Sequence, residues 1–217
     1  GPAPSVTPLM QRLLENGELR YRATLTRDNV ESILAQNADT NARTARVVFQ
    51  SEPWVEANVT ATPGTLQYLV NQQTDLFIET ERATILAPHT SLNGLTEDLF
   101  FRILPVQADV QQAIEQNAQQ NEHVQAHLGK QMTVHLFGQP VTIQTNLQNQ
   151  PVTITLPIPA DVTAEQLQAL FVYIEHSDGT TEVKQGRIVD MPNGKKGYAF
   201  EVDHFSTFSL MYATAVE

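Results

Sequence analysis

Apolar and polar residues alternate in short runs along most of this chain, interrupted by a few stretches of helical spacing. Leu19, Tyr21, Ala23 and Leu25 recur at every second position, the period of a half-buried strand. Ahead of them, 7–17 predicts a short helix, with Thr7 as cap, Pro8 in the first turn and Gly17 as the left-handed stop. After them, Val30, Ile33 and Leu34 follow Asp28 and Glu31 at capping-box spacing, which predicts a second helix. The same grammar returns as a strand over 55–61, a capped helix over 62–73 and a hairpin over 74–87. Setting Ala23 over Ala57 and Asp28 over Thr62 aligns the two units as an internal duplication of low side-chain identity.

Leu99, Phe101 and Ile103 mark a further strand, and 107–129 is the longest helical stretch, with a break expected near Asn117 or Asn121. From Met132 onward the period is two, with strands expected over 132–137, 140–146, 151–159, 169–177, 180–190, 197–203 and 204–213. Turn residues separate them, as in Ser177-Asp178-Gly179 and Pro192-Asn193-Gly194. The fold class expected is α+β and β-rich, with N-terminal strand-helix-strand units followed by a C-terminal antiparallel β-sandwich-like unit. The expected divisions are a protease-cleavage scar and short leading helix over 1–17, an α/β portion over 18–129 and a β-sandwich-like portion over 130–217. The alternative is that the two halves share one core.

Composition narrows the setting. Hydrophobic residues make up 41% of the chain and charged residues 17%, which fits a folded domain whose surface polarity comes from Gln, Asn and Thr. With 24 acidic against 13 basic residues the net charge is -11, and the densest basic spot is Asn193–Gly197. Nucleic acid and anionic bilayers are disfavoured as partners on that ground. Cysteine is absent, which excludes disulfides, zinc thiolates and thiol catalysis. No apolar run approaches the roughly 20 residues of a membrane span.

Three segments carry a resemblance: Phe137–Ile143 (FGQPVTI), Pro151–Gly179 (PVTITLPIPADVTAEQLQALFVYIEHSDG) and Phe200–Tyr212 (FEVDHFSTFSLMY). Together with the hairpin Asp75–Pro88 they resemble β-rich accessory domains of Gram-positive cell-surface proteins, often found beside S-layer homology modules. The likeness runs from about Val55 to Ala213. It implies a secreted, wall-associated, non-catalytic structural or spacer module. The implied partners are neighbouring domains, S-layer homology anchors, further copies of the chain or cell-wall glycan. It implies no reaction and no catalytic residues.

The chemical candidates are few. His204-Phe205-Ser206 matches a triplet at which some eukaryotic autoproteolytic domains cut their own chain between Phe and Ser. The Ser hydroxyl attacks the preceding carbonyl and the His moves protons. The competing reading makes the triplet the start of a closing strand. His123 and His127 stand four apart on a helix, a spacing that can present two imidazoles to one metal, although Val124 replaces the Glu of a zincin. Trp54 is the single tryptophan and the candidate for a wall-polysaccharide contact. The acidic residues Asp75, Glu79, Glu81, Glu97, Asp98, Asp161, Glu165, Asp178 and Asp190 are scattered and read as surface charge. No cofactor is expected beyond low-affinity extracellular calcium binding.

Overall fold

Asn16 and Gly17 both take positive φ, 51° and 79°, and turn the chain straight back on itself. An Asn-Gly pair with both residues left-handed is the two-residue hairpin turn whose twist matches that of strands. The residues before it, Met10–Glu15, are therefore a strand (β2) paired antiparallel with β3, Glu18–Leu25. This corrects the leading helix expected over 7–17: Gly17 ends no helix, and the three-residue spacing of the half-buried Met10 and Leu13 is incidental. The computed structural model describes residues 5–6, 8, 10–36, 43–49, 52, 54–192 and 194–216, so the proposed cap Thr7 and the turn residue Asn193 lie outside the described residues.

Two strand-helix-strand units follow. In the first, β3 leads to α1 (Arg27–Gln36) and β4 (Thr44–Val48). In the second, β5 (Glu56–Ala61) leads to α2 (Pro63–Asn71) and β6 (Asp75–Glu79). β3 pairs with β5 and β4 with β6, both in parallel, so the units lie side by side. Their register sets Ala23 beside Val59 and Thr24 beside Thr60. The caps correspond too, Thr62 accepting from the Thr65 amide and Thr26 exchanging hydrogen bonds with Asn29. The spatial match is thus Thr26 with Thr62, two residues away from the Asp28 pairing read from the sequence, and the cap of α1 is Thr26–Asn29 rather than Asp28–Glu31.

Each unit starts in one sheet and ends in the other. Among the described residues, the first sheet runs β1 (Ser5–Val6), β4, β6, β7 (Thr84–Ala87), β11 (Val152–Pro157), β15 (Lys196–Val202) and β14 (Arg187–Asp190). The second runs β13 (Thr181–Lys184), β12 (Leu170–Glu175), β16 (Thr207–Ala215), β10 (Val141–Thr145), β8 (Leu99–Pro105), β5, β3 and β2, with β9 (Met132–Leu136) also paired to β16. The fold is α+β and β-rich, as the sequence pattern suggests, but the sandwich draws strands from both halves. One buried cluster holds Leu25, Val59, Ile78 and Phe101 together with Ile154, Val172, Phe200 and Phe208. Phe200 and Phe208 meet across the sheets with ring centroids 5.7 Å apart.

After the one-turn helix α3 (His89–Leu92), the long helical stretch divides into α4 (Ala108–Gln120) and α5 (Glu122–Leu128) at Asn121, one of the two positions expected. Asn121 ends the first helix and caps the second, its side chain accepting from the amides of His123 and Val124. Ile114, Ala118 and Val124 cover the outer face of the second sheet against Phe171, Tyr173 and Met211. β12 and β16 are buried on both faces in consequence, which is why Leu170–Glu175 reads as a nearly unbroken apolar run.

The single strand expected over 180–190 is two. β13 stays in the second sheet and β14 joins the first, and the chain crosses at Gln185-Gly186. A Cβ on Gly186 would lie 2.3 Å from the carbonyl oxygen of Ala199, so the crossing passes too close to β15 for any side chain.

Candidate functional site

β16 begins at Thr207, so His204, Phe205 and Ser206 precede it in the short crossover from β15 to β16. The crossover is anchored on both sides. The amide of Ile143 donates to the Ser206 carbonyl at 2.9 Å, and the Phe205 ring packs edge-on against Phe101 at 5.9 Å. β16 itself is a central strand, lying between β12 on one edge and β9 and β10 on the other.

The β12–β13 hairpin closes over this crossover. Its turn is set by Asp178, which accepts from the Thr180 hydroxyl at 2.6 Å and amide at 2.9 Å, and by Gly179 at φ 88°. Those two Thr180 bonds, the hydroxyl first, hold the Asp178 carboxyl below the usual carboxylate range. His176, one residue past β12, stands at the base of the turn, its amide donating to the Thr180 carbonyl. The antiparallel register pairs Glu175 with Thr207, so the next step along both strands brings His176 to Ser206.

The contact is direct. His176 Nδ1 is hydrogen-bonded to Ser206 Oγ, and His176 Nε2 to Glu182 Oε2 at 2.7 Å. A carboxylate only accepts, so Nε2 carries the proton, and in a neutral imidazole Nδ1 is left to accept from the serine hydroxyl. Ser206 is buried at 8% exposure, and its hydroxyl also reaches the Phe205 carbonyl oxygen as a donor at 2.5 Å, so its one proton serves one acceptor or the other. Serine, imidazole and carboxylate thus form a relay in which the hydroxyl has a base on one side and its own preceding carbonyl on the other. The relay faces a cleft of about 990 Å³ lined in part by Gln144, Glu175, Asp203 and His204.

The triplet's own histidine is elsewhere. The His204 side chain is 59% exposed, and its Nδ1 meets Asp203 at 2.7 Å. That bond is the main cause that holds the Asp203 carboxyl below its usual range. The His204 ring sits edge-on to His176 at 6.2 Å. Sequence reasoning named Ser206 but missed His176 and Glu182. The Ser177-Asp178-Gly179 turn is a legible sign of a hairpin, whose register sets His176 opposite Thr180 and Glu182 opposite Ile174, so that Glu182 reaches His176 as a diagonal neighbour. Their approach to Ser206 depends on the pairing of β12 with β16, which no local pattern reports.

The other candidates lie apart. His123 and His127 share α5, where His127 Nε2 bonds Gln185 and its ring lies 5.8 Å from Phe171. Among the described residues no group of three or more His, Cys, Asp or Glu is placed to hold a metal ion. Trp54 is 70% exposed, beyond the reach of the core. Asp75 bonds His89, Glu79 bonds Arg46 and Asp190 pairs with Lys196, each carboxylate having its own local partner. Among the described residues no helix is long and apolar enough to cross a membrane.

No protein-family model matches the chain, and no curated protein matches its sequence.

Proposed function

We propose that this chain is a non-catalytic structural module of a secreted bacterial cell-surface protein, holding neighbouring domains apart and bearing load between them. The observation that carries this reading is the placement of β16. It is paired on both edges, six residue pairs to β12 and five to β9, so a pull on it must shear many hydrogen bonds at once. Its inward side chains Phe208 and Leu210 belong to the same core as Leu25 and Val59 near the other end of the chain. The polarity carried by Gln, Asn and Thr and the resemblance to wall-associated accessory domains support the extracellular setting. Neighbouring domains, S-layer homology anchors, further copies of the chain and wall glycan are the partners this reading expects.

The test is a distance measurement. Two fluorescent domains fused to the ends of the chain should report one narrow transfer efficiency, as a rigid spacer imposes. A broad distribution typical of a flexible linker would contradict the proposal, as would turnover of an external substrate in the His176–Ser206 cleft.

A further inference from the structure

Beyond that structural role, we infer that the Phe205–Ser206 peptide bond is a self-cleavage site, with Ser206 as nucleophile and His176, in place of the adjacent His204, as the base. The geometry supplies each part. The Ser206 hydroxyl is within donating distance of the Phe205 carbonyl oxygen, 2.5 Å away, and of His176 Nδ1; turning its one proton to His176 leaves Oγ beside the carbonyl whose carbon it attacks. His176 Nδ1 is bonded to that same Oγ. Glu182 accepts from Nε2–H and so holds the ring in the tautomer and orientation that turn Nδ1 to Oγ, which makes it the positioning residue. The anchors at Ile143 and Phe101 hold the serine and the phenylalanine on either side of the bond.

The steps balance with water as the only co-reactant. The Oγ proton passes to His176 Nδ1 while Oγ bonds to the Phe205 carbonyl carbon. The carbon–nitrogen bond to Ser206 then breaks, and the departing nitrogen takes the proton from His176. The product is an ester between Phe205 and Ser206 Oγ, with a free amine on Ser206. Water from the cleft adds to the ester carbonyl and releases a Phe205 carboxylate and the Ser206 hydroxyl. β16 stays paired to β12, β9 and β10 after the cut, so the two pieces remain one folded body.

The test is the intact mass of the full chain under denaturing conditions, after incubation at neutral pH with and without hydroxylamine, which captures esters. The inference predicts a piece ending at Phe205 and a piece starting at Ser206, with hydroxylamine hastening the cut and leaving Phe205 as a hydroxamate. Ser206→Ala should stay whole. His176→Gln should cut about 100-fold more slowly, and His204→Gln at close to the parent rate. Glu182→Gln, which still offers an acceptor oxygen, should retain cleavage that Glu182→Leu loses. Each variant is compared at equal melting temperature. A parent chain that stays whole with and without hydroxylamine overturns the inference, and so does a cut that persists in Ser206→Ala. Loss of cleavage in His204→Gln but not in His176→Gln overturns the assignment of the base.

Discussion

The hydroxyl of Tyr198 accepts the backbone N–H of Gly186 at 2.8 Å, at the point where the chain leaves the second sheet for the first. The same oxygen accepts from the Gln185 side chain at 3.0 Å and donates to the Leu170 carbonyl at 3.2 Å. One buried phenol therefore satisfies the polar groups that the crossing strips from both ladders. Tyr198→Phe should leave the Gly186 amide without this partner and lower unfolding free energy by about 1–3 kcal/mol. Gly186→Ala should cost at least as much, since its Cβ meets backbone that cannot swing aside. Urea denaturation of the two variants checks both.

Glu56, only 7% exposed, ties three strands of the second sheet together. It accepts from Arg102 Nε at 2.7 Å and pairs with Arg20 Nε at 2.8 Å. Removing the carboxylate leaves two guanidinium groups facing each other without their shared counter-charge. Because both arginines keep about a third of their side chains in water, Glu56→Ala should cost about 1–3 kcal/mol, less than a fully buried pair would. A midpoint equal to the parent's in urea would show that water replaces the carboxylate.

Ser209 offers the opposite case. It is 1% exposed in β16, and among the described residues its Oγ has no hydrogen-bond partner. Ser209→Ala removes a desolvated hydroxyl at no loss of contacts and should be neutral or stabilising by up to about 1 kcal/mol. A loss of more than that would reveal a partner for the hydroxyl.

Two tyrosines set the alkaline limit. Burial, then the Glu175 carboxylate, pushes the Tyr173 hydroxyl well above its ordinary range, and burial likewise raises Tyr198. The folded chain holds both protons more tightly than the unfolded chain does. Their contribution is therefore full below the unfolded value of about 10 and is lost as pH rises from there toward the folded values. Denaturation midpoints should be level from about pH 8 to 9 and fall above about pH 10, less steeply in Tyr173→Phe.

Strand periodicity made most of the fold legible. The alternation in Glu18–Leu25, Glu56–Ala61 and Leu99–Pro105 survives as β3, β5 and β8, because each buries one face more completely than the other. Where the pattern misled, a turn decided the outcome. Gly17 looked like a helix stop, yet the left-handed Asn16 beside it makes a hairpin and a strand. Residues 180–190 looked continuous, yet Gly186 lets the chain change sheets between β13 and β14. The site was half legible for a related reason. Ser206 stood out by its neighbours in sequence, whereas His176 and Glu182 reach it only through the antiparallel pairing of β12 and β16.

The load-bearing role of β16 is tested most directly by pulling on the two ends of the Ser206→Ala chain, which keeps the strand covalently attached, and recording extension at constant force. A single core shared by both halves predicts one all-or-none step that releases the whole folded length. Early release of β16, or of the β2–β3 hairpin, at a lower force than the remainder would contradict it.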